Sequence, residues 1–169
     1  MNVWTIDVES YFSSKEFTLK KLTTEAYVRD PRFEAHGWAV RHPDGKLEWV
    51  DRDAFKMPVW RDRLSVGATL CHHAAFDILV LTHHYGIKPA AILDTLSMAR
   101  LLLGNHVSVS LDGIRKYFGM PMKTTPYTLF DGKHWSELDM RTRSAIAEGA
   151  CDEVESIWTI FCRFMKGDY

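Results

Sequence analysis

Val3-Trp4-Thr5-Ile6-Asp7-Val8-Glu9 is the stretch on which the reading of this chain turns. β-Branched and aromatic residues dominate it, so residues 2–8 are expected to form a buried strand. Side chains alternate along a strand, which puts Asp7 and Glu9 on one face. Two carboxylates side by side repel each other unless they are protonated, hydrogen-bonded or neutralised by a cation. An all-oxygen donor set favours a hard ion such as Mg²⁺ or Mn²⁺. The alternative is an edge strand bearing two solvated acids.

The rest of the chain supplies a frame for that strand. Residues 35–42 and 46–50 flank Pro43-Asp44-Gly45 and read as a hairpin. Residues 52–63 are weakly helical, with Pro58 expected to interrupt them, and Val66–Cys71 reads as a short central strand. Ala74–Tyr85 reads as a helix closed by Gly86. Ala90–Leu93 is a short strand, and Asp94 caps a helix over Thr95–Leu103 that Gly104-Asn105 ends. A short helix over 110–118, an irregular segment over 121–135 and a final helix over about 137–165 complete the order. Early strands followed by alternating strand and helix predict an α/β domain with a mixed sheet.

Composition bounds the possibilities. A length of 169 residues with 46% apolar residues fits one domain with a real core and argues against disorder. A net charge of −1 argues against a generally basic coat, although Lys15, Lys20, Lys21, Arg29 and Arg32 form a candidate basic strip, with an ordinary solvated surface as the alternative for each. Cys71, Cys151 and Cys162 are odd in number and lack CxxC spacing, so reduced thiols in the cytoplasm are expected. Neither a signal pattern nor a membrane-length apolar run is present.

Two further acids stand out. Asp77, in Cys71-His72-His73-Ala74-Ala75-Phe76-Asp77, falls in the first turns of a helix, where an Asp ordinarily serves the helix dipole. Asp152 lies on the last helix, in Glu148-Gly149-Ala150-Cys151-Asp152-Glu153-Val154-Glu155, with Val154, Ile157, Trp158 and Phe161 as the apolar stripe. Glu148 shares a face with Asp152 at i,i+4, a like-charge pair that disfavours a helix, and Gly149 costs it roughly another 1 kcal/mol. Local rules broken together mark a functional or closely packed site. The pairs His72-His73 and His83-His84 lack the partners and spacing of a zinc site, and His134 falls in a loop as a surface histidine or a mobile base.

These motifs, in this order, resemble the 3′→5′ exonuclease domain of phage and bacterial DNA polymerases, in the DEDD (DnaQ-like) superfamily of the RNase H-like fold. Its Asp-x-Glu is matched by Asp7 and Glu9, its Asn-x-x-Phe-Asp by His73-Ala74-Ala75-Phe76-Asp77, and its last-helix Asp by Asp152. Thr18–Glu25, Arg29–Phe33 and Asp94–Arg100 are similar to the same family, so the resemblance spans almost the whole chain. The chain departs from the family at His73, where Asn is usual. It departs again at Glu148 and Ala147, where the family carries Tyr four or His five residues before the last Asp.

The resemblance implies an RNase H-like mixed β-sheet flanked by helices, with 1–169 as a single exonuclease domain. It implies two Mg²⁺ or Mn²⁺ ions held by Asp7, Glu9, Asp77 and Asp152, with Glu148 in place of the usual tyrosine to orient or deprotonate water. Ser10, Tyr11, Phe12, His73 and Phe76 are the expected substrate contacts; ordinary core packing is the alternative for Phe12 and Phe76. The implied substrate is a single-stranded or frayed 3′ end of DNA, trimmed to nucleoside monophosphates as in proofreading. An exoribonuclease acting on short RNA and a non-catalytic nucleic-acid- or polymerase-binding module are the alternatives. No sequence remains for a polymerase domain after residue 165, so a free-standing enzyme or the editing part of a split polymerase is expected, in a bacterial cell or phage-infected host.

Overall fold

The structure is a computed structural model that describes every residue except Met1, Thr124 and Pro126. A five-stranded mixed sheet forms its centre. The strands are β1 (Val3–Ser10), β2 (Ala35–Arg41), β3 (Leu47–Asp51), β4 (Ala68–Cys71) and β5 (Ala91–Asp94). Their order is β3-β2-β1-β4-β5. β2 runs antiparallel to both β1 and β3, while β4 runs parallel to β1 and β5. The α/β class and mixed sheet read from the sequence are therefore what the chain forms.

The helices are α1 (Thr24–Arg29), α2 (Pro58–Val66), α3 (Ala74–His84), α4 (Thr95–Leu102), α5 (Leu111–Tyr117) and α6 (Met140–Lys166). Alternation along β1 divides them into layers. Trp4, Ile6 and Val8 point into a core with Trp38, Val40, Val28, Phe55, Trp60, Leu64, Val80 and Leu81. The opposite face takes Thr5, Asp7 and Glu9, and there Ala39 of β2 packs on Ala150 and Val154 of α6. Ala39 is the β2 partner of Asp7, so α6 covers the acid-bearing face of β1. α4 and α5 close on the far part of α6 through Ala99, Leu103, Ile114, Ile160 and Phe164.

Several boundaries differ from the sequence reading. Pro58 opens α2 instead of interrupting a helix; proline at the first helical position lacks only an N–H that would be unpaired there anyway. A short 3₁₀ turn, Ala54–Lys56, precedes it. Val66 ends α2 and does not belong to the following strand. β1 runs on to Ser10, with its register to β2 shifting between Glu9 and Ser10. Of the segment expected to be irregular, positions 124 and 126 lie outside the described residues; the remainder carries two 3₁₀ turns, Tyr127–Leu129 and Trp135–Glu137. Asp139 caps α6 by accepting from the Thr142 N–H, and Gly167, at φ 78°, closes it in the left-handed region that glycine tolerates.

Candidate active site

The crossing of β1 and α6 creates the site. Asp7, Glu9 and Glu153 each direct a carboxylate oxygen to one place, with all three oxygens within 4.8 Å of one another. A point central to oxygens so spaced lies no more than about 2.8 Å from each, and small movements bring them to the 2.0–2.6 Å at which oxygen ligands hold Mg²⁺ or Ca²⁺. Asp77 stands behind them on the first turn of α3. It is buried, and its Oδ1 accepts a hydrogen bond of 3.2 Å from the Val8 N–H, between the two β1 acids.

The electrostatics follow from crowding. Burial pushes the Glu9 carboxyl up to about 7, with the Asp7 charge adding to the effect. Burial, then Asp7 and Glu9, push Glu153 up to about 10. Asp7 is raised by burial, and Asp77 well raised by burial and by Asp7. Two cations lie among these acids. Lys123 pairs with Glu153, and the guanidinium of fully buried Arg115 lowers the pKa values of Asp7 and Glu153. Each raised carboxyl marks a negative charge that the crowded cluster resists on its own and that a hard cation would stabilise. The donor chemistry and oxygen spacing thus fit divalent-ion binding.

On α6 it is Glu153, and not Asp152, whose carboxylate lies beside those of Asp7 and Glu9. Successive helical residues are turned by about 100°, so neighbours in sequence face different surroundings. Ile146, Ala150, Glu153, Ile157, Ile160 and Phe164 make a stripe at alternating spacings of four and three, and every member is buried. Glu153 is the one charged residue on it. Asp152 points instead toward α5, where its Oδ2 accepts from Arg115 Nη2 at 2.9 Å, and its side chain is 58% exposed. Glu148 shares the Asp152 side of the helix. It is exposed and accepts from the Ser144 hydroxyl at 3.0 Å, so it does not reach the acid cluster. Trp158 and Phe161, expected in the apolar stripe, are only half-buried, and Trp158 lies beneath the Arg41 guanidinium.

The expected substrate contacts are mostly engaged within the protein. Ser10 is buried, with its hydroxyl 3.2 Å from the Tyr27 hydroxyl. Phe12 packs edge-on against Phe130 and Tyr127, and Phe76 packs against Tyr27. Tyr11 stacks flat on His134 at 4.2 Å, while His134 bonds Glu34 at 2.9 Å. His73 has an exposed side chain, and its role is in the backbone. It takes φ 74°, ψ 55° at the turn into α3, and its N–H donates to Asp94 Oδ1. His is among the non-glycine residues that tolerate this left-handed region, which explains how it is accommodated here. In the candidate basic strip, Arg29 pairs with Glu25 and Arg32 with Asp30, so those charges are offset locally. His72 bonds the Thr95 hydroxyl, and His84 bonds the Val28 carbonyl.

Sequence reasoning missed two groups that the 121–130 segment brings to the site. Lys123 reaches Glu153, and the Tyr127 hydroxyl donates to Glu153 Oε1 at 3.4 Å. No periodicity marks residues in an irregular segment. Glu153 did carry a signal, as a lone acid in a 4-3-4-3-4 apolar stripe.

No protein-family model matches the sequence, and no curated protein does. Solved structures do match its fold. NrnC of Brucella melitensis, determined with bound Mg²⁺, aligns with a TM-score of 0.65 at 15% identity over 98% of this chain and 75% of its own. RNase D of Escherichia coli, an exoribonuclease involved in structured RNA processing, gives 0.63 at 14% identity over 96% of this chain and 38% of its own. The family B DNA polymerase of Pyrobaculum calidifontis gives 0.66 at 16% identity over 98% of this chain and 24% of its own. The RNase H-like sheet flanked by helices is common to this chain and these structures. Among the described residues, no helix is long and apolar enough to cross a membrane.

Proposed function

We propose that this chain is a metal-dependent 3′→5′ exonuclease that removes nucleoside monophosphates from single-stranded or frayed 3′ ends of DNA, with residues 1–169 acting as one domain. The observation that carries this reading is the convergence of Asp7, Glu9 and Glu153 oxygens within 4.8 Å, with Asp77 buried behind them. The fold shared with NrnC, RNase D and a polymerase supports it, as does the Mg²⁺ bound to NrnC.

In this reading Asp7, Glu9, Asp77 and Glu153 hold two Mg²⁺ or Mn²⁺ ions. Ions held there would supply the Lewis acidity that phosphodiester hydrolysis needs. The protein's part is to fix the donors. The Val8 N–H orients Asp77, the β1 pleat sets Asp7 beside Glu9, and Tyr127 orients Glu153. The enzyme would work in the cytoplasm of a bacterial cell or phage-infected host, alone or beside a separate polymerase subunit.

The test uses one DNA oligonucleotide labelled at either end, an RNA of the same sequence and a circular single strand, each with Mg²⁺, Mn²⁺ or chelator. Stepwise shortening from the 3′ end of DNA, abolished by chelator, is the expected result. Preference for RNA would convert the reading to an exoribonuclease. Comparable cleavage of the circle, or full activity in chelator, would overturn it.

A further inference from the structure

Lys123 occupies an unusual position for an ammonium group. It pairs with Glu153, both side chains being only 11% exposed, and its Nζ lies 4.2 Å from the centre of the Tyr127 ring. The charges of Glu9 and Asp7 act on it as well. Among the described residues, Lys123 is the only side chain in an ion pair with any of the three clustered acids. Arg115 is committed elsewhere, to the Asp152 carboxylate and backbone carbonyl.

The segment that carries Lys123 is built onto the site. Tyr127 reaches the same Glu153 oxygen that Lys123 pairs with. Phe130 anchors the segment in the core beside Phe12 and Trp135. Thr125 sits directly over Gly149 of α6, where a Cβ would come within 1.8 Å of its hydroxyl oxygen. The glycine that weakens α6 therefore gives Thr125 its seat.

A buried carboxylate cluster destabilises a fold unless its charge is offset. Lys123 supplies one positive charge there, but on an oxygen that a divalent ion also needs, and like charges at such range repel strongly in a partly desolvated site. We propose that Lys123 is a resident counter-ion that competes with divalent cations for Glu153, so that the site takes up metal only as the ammonium moves aside. This inference rests on the metal-binding reading above. It adds that the protein holds its own metal affinity down in exchange for a stable acid cluster.

Mn²⁺ titration monitored by the electron paramagnetic resonance of free Mn²⁺, with no substrate present, tests it. The wild type is compared with Lys123→Gln, Lys123→Met, Lys123→Arg and Asp7→Asn. Lys123→Gln and Lys123→Met should bind Mn²⁺ roughly tenfold more tightly, because a repelling charge is gone. Both should melt below the wild type in chelator and gain more from added Mn²⁺. Lys123→Arg, which keeps the charge, should bind as the wild type does. Two neutral variants guard against one failing to fold, since Met keeps the aliphatic stem. Unchanged or weaker Mn²⁺ binding in the neutral variants, with normal binding in the wild type, overturns the competition alone. Absence of any wild-type Mn²⁺ binding that Asp7→Asn reduces overturns the metal reading, and this inference with it.

Discussion

Replacing Glu153 and Asp152 separately by their amides is the sharpest probe of the site, because the two acids are adjacent in sequence and opposite in surroundings. Glu153→Gln removes an ionisable carboxyl from the cluster whose oxygens lie within 4.8 Å. Deleting one group that stabilises charge in a transition state costs ~10²–10³ in rate, and kcat/KM should fall at least that far. Stability should change little: burial, then Asp7 and Glu9, already oppose the Glu153 charge and hold its carboxyl at about 10, while Lys123 loses its partner. Asp152→Asn reverses the pattern. Its amide oxygen still accepts from Arg115 Nη2, now at 2.9 Å from Asp152, but without charge. Half-exposed as that carboxylate is, the loss should be about 1 kcal/mol, or roughly 2–4 °C in Tm for a chain of this size. Activity below the melting range should stay within about twofold of the wild type, against the ~10²-fold or greater loss expected of Glu153→Gln. The assay is kcat/KM on a 3′-labelled single strand at saturating Mg²⁺, with Tm from calorimetry. An Asp152→Asn enzyme as inactive as Glu153→Gln, yet melting within a few degrees of the wild type, would refute the assignment of the α6 acid.

Two further outcomes test the frame around the site. His36 is fully buried, with neither ring nitrogen hydrogen-bonded, and burial pulls its pKa down to about 4. Its unfolded value is about 6.5, so the unfolded chain binds a proton that the folded one refuses, and stability falls as pH drops from about 6.5 through 4, by up to about 3 kcal/mol. His36→Leu should flatten that acid limb in urea midpoints measured against pH; parallel profiles for the two proteins would count against the buried neutral imidazole. His73 stands in the left-handed region, where a β-branched side chain is strained by about 1–2 kcal/mol more than Asn or Gly. His73→Val should therefore lower Tm by several degrees while His73→Asn leaves it nearly unchanged, and equal melting of the two would contradict the backbone reading.

Much of this protein is determined by local sequence. The Val3–Glu9 run specifies a strand because β-branched and aromatic residues fit a buried pleat, and period two alone puts Asp7 and Glu9 on one face. Pro43-Asp44-Gly45 specifies the hairpin, since Gly45 supplies the φ of 95° that the turn requires. Asp77 follows from its place in the first turn after a central strand. Tertiary structure decided the rest. Which of two consecutive acids joins the cluster depends on the rotation of α6 about its axis, and that is set by Ala150 and Val154 packing against Ala39 of the sheet and not by the acids. The same rotation turns Glu148 to solvent beside Ser144. Lys123 and Tyr127 lie where no period marks them, so only the tertiary fold brings their polar ends to Glu153, with Thr125 seated over Gly149. Local pattern fixes which side chains share a face of one element; the packing of elements against each other fixes which faces meet.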